Sequence, residues 1–111
     1  MVIETVLPDD AKVDPRPAWK TVPVGTKGEQ IVLISPDLGP RDQPFRNLLR
    51  RTKSNVVIWR AELPEGDSAR EYDSYVELRS ADGNISANTW SGYYVLIDPQ
   101  TGRIETKQFA K

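Results

Sequence analysis

"YDSYVELRSADGNISANTWSGYYVLIDPQTGRIETKQF", residues 72–109, decides the fold class. Polar and apolar residues alternate along it with a period of two, as they do along a half-buried strand. Three turn signals interrupt the alternation. Asp82-Gly83 suits a type I′ hairpin turn, in which both central residues take positive φ. Ser91-Gly92 reads as a second two-residue turn. "DPQTG", residues 98–102, suits a type I turn closed by a glycine with positive φ. The stretch is therefore expected to fold as a four-stranded antiparallel meander.

Turn length sets the register. A two-residue turn at 82–83 pairs Leu78 with Ala87, Glu77 with Asn88 and Tyr75 with Trp90. The same length at 91–92 pairs Ala87 with Leu96 and Thr89 with Tyr94. One face then carries Val76, Leu78, Ile85, Ala87, Tyr94 and Leu96, the expected core. The other carries Tyr75, Glu77, Arg79, Ser86, Asn88, Trp90 and Tyr93, with Val95 and Ile97 behind them. A slip of one residue at either turn would exchange the two faces.

Upstream, "NVVIWRAEL", residues 55–63, also alternates and puts Val57, Trp59, Ala61 and Leu63 on one face. "QIVLIS", residues 30–35, is a continuous apolar run and reads as a strand buried on both faces. "WKTVPV", residues 19–24, reads as an edge strand because Pro23 lacks a ladder donor. "VIETVL", residues 2–7, could be another edge strand. Between them, "PDDAKVDPRPA", residues 8–18, reads as an irregular connector. "DQPFRNLLRRTKS", residues 42–54, is the one helix candidate, giving a short helix near 43–53. Asp42 can cap it, Pro44 suits its first turn, and Phe45, Leu48, Leu49 and Thr52 form a narrow apolar stripe.

The bulk numbers fit one small domain, residues 1–111, with an irregular arm over 1–18. The chain has 111 residues, 38% hydrophobic and 28% charged, the balance of a soluble globule. Fifteen basic residues against 16 acidic ones leave a net charge of -1, which argues against nucleic acid and anionic membranes as partners. With no cysteine and no histidine, thiolate and imidazole nucleophiles, zinc-thiolate sites and Ser-His-Asp triads are excluded. No cofactor or metal is expected. Apolar runs are far shorter than the roughly 20 residues that span a bilayer. "MVIETVLPDD" lacks the basic and apolar regions of a secretory signal, so a cytoplasmic protein is the expectation.

One phrase is nearly repeated: "VLISPDLG", residues 32–39, against "VLIDPQTG", residues 95–102. With Asp82-Gly83, Ser91-Gly92-Tyr93 and "LIDPQTGRI", the C-terminal meander resembles one blade of a quinoprotein-type propeller, the PQQ repeat. "VLISPDLG" followed by "NVVIWRAEL" resembles the end of a preceding blade, with Trp59 in the position of a blade tryptophan. The resemblance implies blade-like four-stranded sheets. It implies no quinone site, because a propeller closes with about four to eight blades and this chain is too short for them. The ending "WSGYYVLIDPQTGRI" also resembles that of short bacterial proteins, which implies no function.

Two surfaces are candidates for binding. Tyr75, Arg79, Asn88, Trp90 and Tyr93 would share the mixed aromatic and polar face of the meander, suited to a protein partner, to self-association or to a small molecule. Alternatively Arg46, Arg50 and Lys53, with Arg51 beside them, would form a basic helix face for phosphates or another acidic partner. The acidic pairs Asp9-Asp10, Glu65 with Asp67, and Glu71 with Asp73 lie in or beside loops without the convergence that acid–base catalysis needs. The expected protein is thus a mostly β, non-enzymatic binding module of about seven strands, its meander packed with the N-terminal strands as two sheets or a curled barrel.

Overall fold

The computed structural model describes residues 10–40, 42–64 and 72–109. Among these lie eight strands: β1 (Ala18–Val24), β2 (Glu29–Ile34), β3 (Leu48–Arg51), β4 (Val57–Arg60), β5 (Tyr75–Ala81), β6 (Asn84–Thr89), β7 (Tyr93–Ile97) and β8 (Ile104–Phe109). They form two four-stranded antiparallel sheets, ordered β1-β2-β3-β4 and β5-β6-β7-β8. The protein is mostly β, as its alternation implies. Of the possible edge strand at 2–7 nothing is described.

The expected helix near 43–53 is not formed. Residues Leu48–Arg51 are instead β3, paired on both sides with β2 and β4. The reason lies in the partners. Leu48 joins the core between the sheets, whereas Leu49 joins a separate cluster with Val32, Ile34 and Phe45. A strand sends adjacent side chains to opposite faces, so it buries both leucines where two cores flank it. Tertiary packing thus overrides the capping and spacing signals of the isolated segment. The same logic explains β2, whose Ile31, Val32, Leu33 and Ile34 are all buried, as expected for a strand covered on both faces.

The C-terminal meander forms with its turns in place. Asp82 and Gly83 have φ of 52° and 80°, and Gly102 has φ of 75°. Leu78 pairs with Ala87 and Glu77 with Asn88. Two details differ from the expected register. A bulge between Tyr75 and Glu77 sets Tyr75 opposite Thr89 rather than Trp90. The turn after β6 holds three residues, 90–92, so Ala87 pairs with Val95 and Asn88 with Tyr94. That single extra residue exchanges the faces of β7. Val95 and Ile97 enter the core with Tyr75, Leu78, Ile85 and Ala87, while Tyr94 and Leu96 take the opposite face.

The main core lies between the sheets. Ile31, Leu33 and Leu48 of the first sheet, with Trp59, Ala61 and Leu63, meet the inner residues of the second. Trp59 lies on the β7–β8 turn, where its indole N–H donates to the Pro99 carbonyl at 2.9 Å. The repeated phrase is a local echo. "VLISPDLG" covers part of β2 and a 3-10 turn, Pro36–Leu38, whereas "VLIDPQTG" covers part of β7 and its turn. These are the second strand of one sheet and the third of the other. What they share is local: Ser35 and Asp98 each accept the backbone N–H two residues on. Each phrase also ends in a glycine that seats an aromatic ring. A Cβ at Gly39 would overlap the Phe45 ring, and one at Gly102 would overlap Trp59.

Among the side chains that tie the sheets together, one does so through three backbone groups. Asn47, fully buried, donates through its amide nitrogen to the Ile34 carbonyl at 2.8 Å and the Tyr75 carbonyl at 2.9 Å. Its oxygen accepts the Tyr75 N–H at 2.8 Å. It therefore pairs with β5 as another strand would. On the far side of the first sheet, buried Asp14 accepts two side-chain bonds from Arg16, at 2.9 and 2.7 Å, and one from Arg60 at 3.2 Å. Arg51 donates to the carbonyls of Asp14 and Arg16, both at 2.8 Å. Burial opposes ionisation of Asp14, but the hydrogen bonds and charge of Arg16, joined by Arg60, outweigh it and hold the carboxyl below its ordinary range.

Two outcomes follow for stability. Asn47→Ala leaves one N–H and two carbonyls buried without partners, so urea unfolding is expected to lose about 3 kcal/mol, at about 1–3 kcal/mol per unsatisfied group less relaxation. Because Asp14 titrates lower folded than unfolded, its contribution is complete above its unfolded value near 3.8 and is lost as pH falls through the folded value. Urea midpoints measured between about pH 5 and pH 2 should fall more steeply for the wild type than for Asp14→Asn. That variant should already be weaker near neutral pH, by roughly 3 kcal/mol, because its arginines lose their buried carboxylate.

Candidate functional site

The fold divides the residues expected to share a binding face. Tyr75 is fully buried in the core, with its hydroxyl donating to the Glu62 carbonyl. Burial, reinforced by the charge of Asp73, pushes its phenol far above the ordinary range, so it stays neutral. Tyr93 packs at the margin of the core and meets Phe109 edge-on at 5.1 Å. Arg79 and Asn88 lie on the outer face of the second sheet, opposite Ser86 and Glu77 respectively. Of these five residues only Trp90 is a large exposed ring, 68% accessible at the tip of the β6–β7 turn. The expected five-residue surface is therefore not one surface. The bulge at Tyr75 and the three-residue turn at 90–92 are the physical reasons.

The basic set is also dispersed, because the helix that would have aligned it is absent. Arg46 donates to the carbonyls of Ala61 and Arg60, at 3.2 and 2.7 Å. Arg50 makes a forked pair with Glu29, at 3.0 and 2.6 Å, and reaches the Pro99 carbonyl at 2.7 Å. Arg51 is buried against the Asp14 segment, and Lys53 is exposed. Three of these four cations serve internal hydrogen bonds, and neighbouring Arg50 and Arg51 point to opposite faces of β3. No group of three or more acidic residues that could hold a metal occurs among the described residues. Of the acidic pairs, Asp9, Glu65, Asp67 and Glu71 lie outside the described residues.

What the structure assembles instead surrounds Trp90. Its ring meets Tyr72 edge to face, with centroids 6.4 Å apart and planes at 69°. Pro36 and Asp37 of the β2–β3 connection join them in a cleft of about 350 Å³, these four being its lining among the described residues. Three separate chain segments contribute, and no local pattern joins Pro36 to Tyr72 or Trp90. Besides Trp90 itself, the sequence signal that fell on this site was the repeated phrase, since it contains Pro36 and Asp37.

The turn that carries Trp90 is held firmly from beneath. Trp90 donates its backbone N–H to the Ser74 carbonyl at 2.9 Å. Buried Asp73 accepts the N–H of Ser74 at 2.9 Å and that of Ser91 at 3.1 Å through one oxygen, and the Ser91 hydroxyl at 2.9 Å through the other. The Thr89 hydroxyl accepts the Tyr93 N–H at 3.0 Å, and Gly92 closes the turn with φ of 107°. Tyr72 is fixed in turn, its hydroxyl 2.7 Å from that of Ser74. A large apolar ring is thus displayed on a backbone that cannot easily withdraw it.

The chain belongs to the DUF7957 family. That family, described as a domain of unknown function, matches residues 20–109, which include all eight strands except the start of β1. No curated protein and no solved structure matches the chain. No helix among the described residues is long and apolar enough to cross a membrane.

If Trp90 is displayed rather than packed, its loss should hardly affect folding. Trp90→Ala is expected to change unfolding free energy by less than about 1 kcal/mol, as surface substitutions do. Asp73→Ala, which frees the turn and leaves buried N–H groups unpaired, should cost about 2–3 kcal/mol. Paired thermal and urea melts of the two variants check this.

Proposed function

We propose that this domain is a non-enzymatic interaction module that binds a protein partner through the cleft formed by Trp90, Tyr72, Pro36 and Asp37. The observation that carries the reading is the exposure of Trp90 on a turn whose anchor, Asp73, is buried and bonded to three donors. Exposing an indole to water is unfavourable, and rigidifying it in that position lowers the ordering cost of binding. Tryptophan and tyrosine are the residues that dominate binding hot spots for this reason. The binding residues expected from the sequence are thereby reduced to Trp90, with Tyr72, Pro36 and Asp37 in place of Tyr75, Arg79, Asn88 and Tyr93.

Kinship with quinoprotein-type blades belongs to the same reading. It is supported by the two four-stranded meanders, and by a tryptophan of one sheet seated on the glycine of the other sheet's Asp-Pro-Gln-Thr-Gly turn. The outward residues of the second sheet are largely polar, with Glu77, Arg79, Ser86, Asn88 and Thr106 among them, which favours water over a further stacked sheet on that side.

The test is capture of partners from cell extract by the wild type, Trp90→Ala and Tyr72→Ala, with light scattering to detect self-association. Both variants should lose the partner, or the dimer, while melting like the wild type. The association should persist in part at high salt, because contact with the rings is little screened even where pairing with the exposed Asp37 carboxylate is weakened. Equal recovery by wild type and variants would sink the reading.

A further inference from the structure

The charge and ring geometry of the same cleft point to a more specific occupant. We propose that it receives a cationic side chain, of the lysine type, presented by the partner protein; this rests on the cleft being the binding site.

Three observations carry the inference. First, Asp37 is the one charged residue among the described residues of the lining, and it is exposed. Its negative charge lines the cleft together with the two rings, where it favours an approaching cation and opposes an anion. Second, Tyr72 and Trp90 stand at 69° to each other, so a group entering the cleft meets two differently oriented rings. The negative face of an aromatic ring attracts an ammonium or guanidinium within about 6 Å of its centroid, and tryptophan does so best. Third, the protein's other exposed tryptophan already has a cation of its own. Trp19, 53% accessible, carries the Lys20 ammonium 5.8 Å from its ring centroid. Phe45 likewise carries the Arg16 guanidinium at 5.2 Å. Among the described residues Trp90 has no such neighbour. Its ring and the Asp37 carboxylate of the same cleft form half of an arrangement that Trp19 and Phe45 complete within the chain.

Size agrees with this occupant. A space of about 350 Å³ is at the lower end of ligand clefts, enough for one long side chain and a little backbone and too small for a folded element. The Tyr72 hydroxyl is engaged with Ser74, which leaves Asp37 as the charged group, among the described lining residues, that selects the ligand.

The test uses the full chain, labelled for NMR, and three end-blocked pentapeptides, Gly-Gly-X-Gly-Gly, with X as lysine, acetyl-lysine or norleucine. The Trp90 indole and Gly92 amide signals are followed during titration. The lysine peptide should give saturable shifts, with affinity about tenfold above the two neutral peptides, as expected for a cation on aromatic faces. Asp37→Asn should narrow that preference a few-fold. Trp90→Leu, which keeps apolar bulk without the ring face, should abolish it, and Trp90→Tyr should retain part of it. Equal shifts with lysine and norleucine would overturn the cationic occupant while leaving the cleft as a peptide site. Absence of saturable shifts with all three peptides would also overturn it. If Trp90→Ala additionally left partner capture unchanged, the interaction reading would fall with it.

Discussion

The buried amide of Asn47 is the interaction on which the rest of the structure depends. Two four-stranded sheets that meet only through apolar side chains could slide, since hydrophobic contact is not directional. Asn47 opposes this from its buried position by bonding to both backbone groups of Tyr75 and to the Ile34 carbonyl at once, while Trp59 and Arg50 bond the Pro99 carbonyl of the β7–β8 turn. It fixes the start of β5 relative to the end of β2. A second backbone link, Phe45 N–H to the Asp73 carbonyl at 2.8 Å, lies beside it. From that junction the chain runs directly into Asp73, Ser74 and the turn that they hold.

The position of the candidate site follows from this junction. Pro36 and Asp37 come from the connection after β2, Tyr72 from the approach to β5, and Trp90 from the turn after β6. These segments meet because Asn47 and Asp73 bind the end of the first sheet to the beginning of the second. The carboxylate of Asp73 acts on the Trp90 turn as Asn47 acts on β5, by filling backbone donors that no strand reaches. Both residues are buried polar groups with their bonds satisfied, a pattern that specifies one arrangement rather than merely favouring compactness. The rings of the cleft thereby sit on a base held by the hydrogen bonds of Asp73 and Ser74.

Much of the fold was legible in the sequence, and the reason is periodicity. Alternation over 75–109, and the turn chemistry of Asp82-Gly83 and Asp98 to Gly102, follow from local geometry alone. Local signals failed where the outcome depended on distant partners. The segment with Asp42, Pro44, Leu48 and Leu49 carries good helix signals, yet two flanking cores demand a strand there. The Ser91-Gly92 pair resembles a two-residue turn, but Ser91 is claimed by Asp73, and the turn widens to include Trp90. That one residue moved Val95 and Ile97 inward and dissolved the expected aromatic face. Asn47 itself carries no sequence signal, because a lone asparagine between apolar residues reads as a loop. The site suffered most, since its four residues are separated in sequence and unite only after the sheets dock.

The most direct test of the account is native-state hydrogen exchange at the Tyr75 amide. If Asn47 pairs with β5 as described, this amide exchanges only through global unfolding in the wild type and becomes among the faster core amides in Asn47→Ala, while Ala87 and Val95 of the central strands stay comparatively protected. Rapid exchange of the Tyr75 amide in the wild type, with the neighbouring strands protected, would contradict the clasp and with it the placement of the cleft.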